Sequence, residues 1–146
     1  MIPGRDQDLY GWAMGNAQLL REGKYQEADM THIIEEMEIL GRSNKRELTS
    51  RMGVLIAHLM KWFYQSDILA QHQKSWEGTI DRERLDLKDL MDENPSLKSF
   101  LSEATPKAYK YAKAILKEET PLNLKTLPEE CPYTFEQLMD ETFFPA

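Results

Sequence analysis

Between Asp29 and Phe63, apolar side chains fall at Ile33, Met37, Leu40, Leu48, Met52, Leu55, Leu59 and Phe63. An α-helix advances about 100° per residue, so spacings of three and four draw one apolar stripe along one face. The pattern holds through Gly41, which predicts a single helix of about nine turns. The alternative is a pair of helices broken near Gly41-Arg42-Ser43-Asn44. Glycine inside a helix costs only about 1 kcal/mol relative to alanine, so a long stripe can carry it across. A helix of this length leaves little room for any other architecture in a chain of 146 residues.

The rest of the chain also reads as helix. A first helix is expected from about Asp6 to Arg21, with Leu9, Ala13, Ala17 and Leu20 on one side and Gly23 as its stop. Gln65 to Lys74 reads as a polar connection, with a third helix opening at Ser75-Trp76 and carrying Ile80, Leu87, Leu90 and Met91. Asn94-Pro95 has the form of a helix start, asparagine capping and proline in the first position. The fourth helix then holds Leu97, Leu101, Ala104, Ala108, Ala112 and Ile115, with Pro106 expected to bend or break it. After a proline-punctuated loop, Thr134 and Gln137 have the spacing of a capping box for a short last helix. Strand alternation and Asn-Gly or Asp-Gly hairpin turns are absent. The expected fold is all-α: a single domain over residues 1–146, a bundle of four main helices, one of them long, with a short C-terminal helix.

Composition narrows the function classes. Hydrophobic residues at 41% and charged residues at 29% fit a folded soluble domain. Cys131 is the single cysteine, so no internal disulfide can form, and no secretion-type leader or membrane span is visible. A cytoplasmic protein is expected. The net charge of −7, from 25 acidic and 18 basic side chains, is opposite in sign to that of a general nucleic-acid binder. Arg42, Lys45, Arg46 and Arg51 make one short basic patch, which reads as a solvated helix face paired with acidic neighbours.

Three constellations carry chemistry. Along the long helix, Asp29, Glu36, Glu47, Arg51 and His58 project on one flank of the apolar stripe, at the seam between neighbouring helices. Partly buried charges there must be paired, which makes a structural polar flank the leading reading. Glu47 and Arg51 are spaced for an intrahelical pair in the favourable order. The second reading takes Arg51 and His58 as a catalytic pair. Six residues separate them, a spacing that resembles the Arg-x4-6-His motif of the helical HEPN superfamily of ribonucleases. His58 would do acid–base work on a ribose hydroxyl or leaving oxygen while Arg51 offsets phosphorane charge. The third reading is a metal site from His32, Glu35, Glu36 and His58, although di-iron bundles use the opposite order, Glu-x-x-His, and use it twice. Trp12, Trp62 and Trp76 read as core aromatics, and Lys61 as a side chain lying along the surface with its head in water. Nothing near Cys131 in the sequence would activate it as a nucleophile.

A family resemblance covers nearly the whole chain. The string Glu35-Glu36-Met37-Glu38-Ile39-Leu40-Gly41-Arg42-Ser43 opens it, followed by Arg46-Glu47-Leu48, Ser50-Arg51 and His58-Leu59-Met60-Lys61-Trp62. Ser75-Trp76, Asn94-Pro95-Ser96-Leu97-Lys98, Ala108-Tyr109, Glu119-Thr120 and Cys131-Pro132-Tyr133-Thr134 continue it in order. Together these resemble domain-of-unknown-function family 29, found in cyanobacteria and proteobacteria. The resemblance implies an all-helical bacterial protein of about this length and no particular activity. The expected role is a non-catalytic interaction or regulatory module, a homo-oligomer or one component of a toxin–antitoxin pair. A metal-independent endoribonuclease is the alternative, and a metal-binding bundle a further one. No cofactor and no membrane are expected; the acidic net charge disfavours a nucleic-acid partner without excluding one.

Overall fold

The computed structural model describes residues 1–146 and contains five α-helices and no strand. They are α1 (Leu9–Arg21), α2 (Met30–Tyr64), α3 (Leu69–Glu93), α4 (Leu101–Glu119) and α5 (Phe135–Met139). Four main helices, one of them long, and a short C-terminal helix are as expected. The chain divides into two compact units, Met1–Ser43 and Asn44–Ala146.

Helix α2 is continuous for 35 residues, so Gly41 does not break it. In the N-terminal unit, Asp8 caps α1 by accepting the Gly11 N–H, and Gly23 ends it with φ of 75°, the left-handed conformation a Cβ disfavours. Asp29 precedes α2, and its carboxylate accepts the N–H of His32.

The core lies in the C-terminal unit. Leu48, Met52, Leu55, Ile56, Leu59 and Met60 of α2 are fully buried with Ile80 and Leu87 of α3, Ala104, Ala108, Ala112 and Leu116 of α4, and Leu138 of α5. Gly53 permits close approach of α4, since a Cβ there would run into Tyr111 and lie 3.1 Å from the Ala108 carbonyl oxygen. Thr134 and Gln137 form the expected capping box of α5.

Four local expectations need correction. Helix α3 begins at Leu69 rather than Ser75, because a 3-10 turn at Ser66–Ile68 feeds directly into it. Asn94 does not cap the next helix; its amide donates to the Leu90 carbonyl and closes the end of α3, and Pro95–Phe100 is a 3-10 segment. Pro106 lies inside an unbroken α4, where buried Ala104, Ala108, Tyr109 and Ala112 anchor the turns on both sides of the lost hydrogen bond. Finally, the apolar stripe of α2 is fully buried only from Leu48 onward, with Ile33 half-buried near its start. Ile34, Met37 and Leu40 are 53%, 68% and 66% exposed, and Phe63 at the far end is also exposed.

Candidate functional site

The polar residues of α2 fall into two groups, one in each unit. In the N-terminal unit, Asp29 is the hub. Its Oδ2 accepts the indole N–H of Trp12 at 2.9 Å and faces His32 Nδ1 at 2.7 Å, while its backbone N–H donates to Asn16 Oδ1 at 2.7 Å. The imidazole first and the indole second hold the Asp29 carboxyl below the usual carboxylate range. One turn further on, Arg5 reaches Glu36 at 3.1 Å and Glu35 at 3.2 Å, which ties the N-terminal turn to α2.

In the C-terminal unit, Arg51 is held by three carboxylates. Its Nε donates to Glu47 at 3.0 Å, and its Nη1 to Glu83 at 3.3 Å and Asp86 at 2.9 Å. The hydrogen bond that Arg51 donates to Glu47 leads in raising the Arg51 pKa against the desolvation that opposes it. With Ser50 and Val54, three of these residues line a shallow depression of 280 Å³ that His58 does not enter. His58 Nδ1 lies 2.9 Å from the Val54 carbonyl, a geometry in which Nδ1–H donates and Nε2 keeps its lone pair. Burial is the main cause of its lowered pKa, so the neutral ring is favoured.

The sequence-predicted residues are therefore brought together in part. Glu47 and Arg51 pair, Asp29 pairs with His32, and Glu35 and Glu36 share Arg5. Arg51 and His58 share no cleft and have separate partners. A phosphate at Arg51 would have to displace carboxylates already bound to it. His32, Glu35, Glu36 and His58 do not assemble, and no group of three or more His, Cys, Asp or Glu is arranged to hold a metal ion. In the basic patch, Arg51 is the residue with acidic partners; Lys45 instead lies 4.5 Å from the centre of the Phe100 ring, and Arg42 and Arg46 have no ion-pair partner.

Two buried cations were not anticipated. Lys61 is buried rather than lying along the surface, because Glu119 of α4 meets its Nζ at 3.0 Å. Arg84 is buried in α3. Its guanidinium donates to the carbonyls of Leu138 at 2.7 Å, Phe143 at 2.8 Å and Gln137 at 3.3 Å, so it clamps the C-terminal segment, while Nη1 finds no partner. Its place between Ile80, Leu87 and Met91, at spacings of four, three and four, puts a charge in an apolar seam and was the legible sign.

A cleft of 610 Å³ runs between α4 and the tail loop. Lys110 and Lys113 on one wall face Glu129 and Glu130 on the other, with Cys131 at the base. Burial pushes the Cys131 thiol up, away from the thiolate a nucleophile needs. The charges of this cleft balance one another and select no ligand.

The fold and its polar groups define an all-helical protein whose buried charges are engaged in holding helices and tail together. In sequence, the chain matches the family described as domain of unknown function DUF29 over residues 5–144, and it belongs to that family. No curated protein and no solved structure matches it. No helix is long and apolar enough to cross a membrane.

Proposed function

We propose that this protein is a non-catalytic interaction module whose docking surface is its N-terminal unit. One observation carries the reading. Of the thirteen exposed large hydrophobic residues, ten lie in Met1–Ser43. The same segment contributes one buried apolar side chain, Trp12, and no member of the main core cluster. Segments of about 40 residues rarely bury enough surface to stand alone, and an exposed apolar surface that large commonly marks an interaction site. A toxin–antitoxin component would be one form of such a module.

The test is a photo-crosslinking residue placed at Ile34, followed in cells producing the full chain. A discrete adduct that is lost when Met37 and Leu40 are both replaced by serine supports the module. Absence of any adduct from this face counts against it. The alternative, an endoribonuclease using Arg51 and His58, is favoured instead if purified protein cleaves RNA and His58→Ala abolishes cleavage with helicity intact.

A further inference from the structure

We infer that the occupant of the exposed α2 stripe is a second copy of this chain, crossing the first antiparallel at Leu40–Gly41. The inference rests on the interaction-module reading and names its partner. Met30, Ile34, Met37 and Gly41 lie within about 60° of one another around the helix, with Leu40 at the edge of the same stripe. All four apolar side chains of this set are exposed.

Gly41 marks the crossing point. A Cβ at Gly41 would meet nothing within 4 Å, whereas at Gly53, on the same helix, it would collide with α4. Gly53 thus shows what a mid-helix glycine accomplishes in this chain: it lets another helix come close. Gly41 has the same open backbone with no neighbour supplied by its own chain.

Charge selects both the occupant and its direction. Glu38 and Arg42 lie on one flank of the stripe, two residues either side of Leu40, and neither has an ion-pair partner within the chain. When two copies meet antiparallel about a two-fold axis at Leu40, each Glu38 faces the other copy's Arg42, giving two ion pairs. Parallel copies, related by a two-fold along the helices, would put this flank on opposite sides of the contact in the two copies and leave Glu38 and Arg42 without each other. A patch that is its own complement under a two-fold is what an isologous dimer requires. With the two-fold at Leu40, Met30 falls opposite residue 50 of the other copy, where the stripe is already covered, so at about 150 Å² for a large apolar side chain Ile34, Met37 and Leu40 supply roughly 280 Å² of apolar surface per copy. Interfaces are about 60% apolar, so about 470 Å² per copy is covered, in the range of weak, transient contacts. The dimer is therefore reversible.

Sedimentation velocity of the full chain over a concentration series tests it. A reversible species near twice the 17.1 kDa chain mass is expected. Met37→Glu should abolish the species with helicity unchanged. Glu38→Arg and Arg42→Glu should each weaken it by about tenfold, as like charges replace both ion pairs, and the double variant E38R/R42E should restore it. A monomer at every concentration, a dimer indifferent to M37E, or a double variant that fails to recover would each overturn the antiparallel pairing. The crosslinker at Ile34 separates the two readings. An adduct with a different chain overturns the second copy and leaves the module standing; no adduct and no dimer overturn both.

Discussion

The indole N–H of Trp12 donates to the Asp29 carboxylate at 2.9 Å, which makes the one buried apolar residue of the N-terminal unit a partner of the residue that opens α2. Asn16, also buried, completes the link by accepting the Asp29 backbone N–H and donating to the Trp12 carbonyl. A unit with almost no core is thus held by directed hydrogen bonds and by the clamp of Arg5 on Glu35 and Glu36. Its apolar residues are left facing outward, and the unit is suited to docking.

The two halves of the α2 stripe should respond differently to truncation. Leu55 is fully buried, so Leu55→Ala is expected to destabilise the fold by about 2–5 kcal/mol. Leu40→Ala, in dilute protein where copies are separate, should stay within about 0.5 kcal/mol of the parent. Urea unfolding followed by circular dichroism measures both.

Glycine to alanine should change sign between two positions of one helix. Gly41→Ala meets nothing and gains helix propensity, a stabilisation of about 1 kcal/mol. Gly53→Ala forces Tyr111 or the α4 backbone to move, and a loss of about 1–3 kcal/mol should outweigh the same gain. Thermal and urea midpoints of the two variants, compared at low concentration, decide it.

Arg84→Ala removes donors to three carbonyls of the C-terminal segment. We expect a loss of about 2–4 kcal/mol and earlier proteolysis after Thr134 than in the parent protein. Equal protease sensitivity in parent and variant would show that the tail does not depend on this clamp.

His58 carries a pH signature. Its folded pKa lies below its unfolded value of about 6.5, so the unfolded chain binds the proton more readily. The stability it contributes is fully present above that value and is lost as pH falls from it toward the lowered folded pKa. His58→Gln should flatten this part of the curve. Urea midpoints between about pH 5 and 7.5 provide the comparison.

Much of this was legible in the residues because it is local. The uninterrupted period of α2, the Thr134–Gln137 box and the αL stop at Gly23 depend on neighbours a few positions away, and each formed as expected. Pro106 and Asn94 misled because their local preferences were overruled, one by packing on both sides and the other by the open end of the preceding helix. Lys61 was misplaced for a related reason. Its partner Glu119 is 58 residues away, and a single helix's pattern carries no information on what a second helix brings against it.

The sequence by itself determined that this chain is helical, where its long helix runs and which side of it is apolar, because helix periodicity is written in nearest neighbours. Only the tertiary structure decided which part of that apolar side is covered. Leu48 and Met52 find α3 and α4 against them, while Met37 and Leu40, on the same stripe, have no covering element. Tertiary contacts likewise brought Glu83 and Asp86 of α3 onto Arg51, which pairs with Glu47 on its own helix, while His58 turns to the Val54 carbonyl, so two residues that helical spacing alone had set side by side have separate partners.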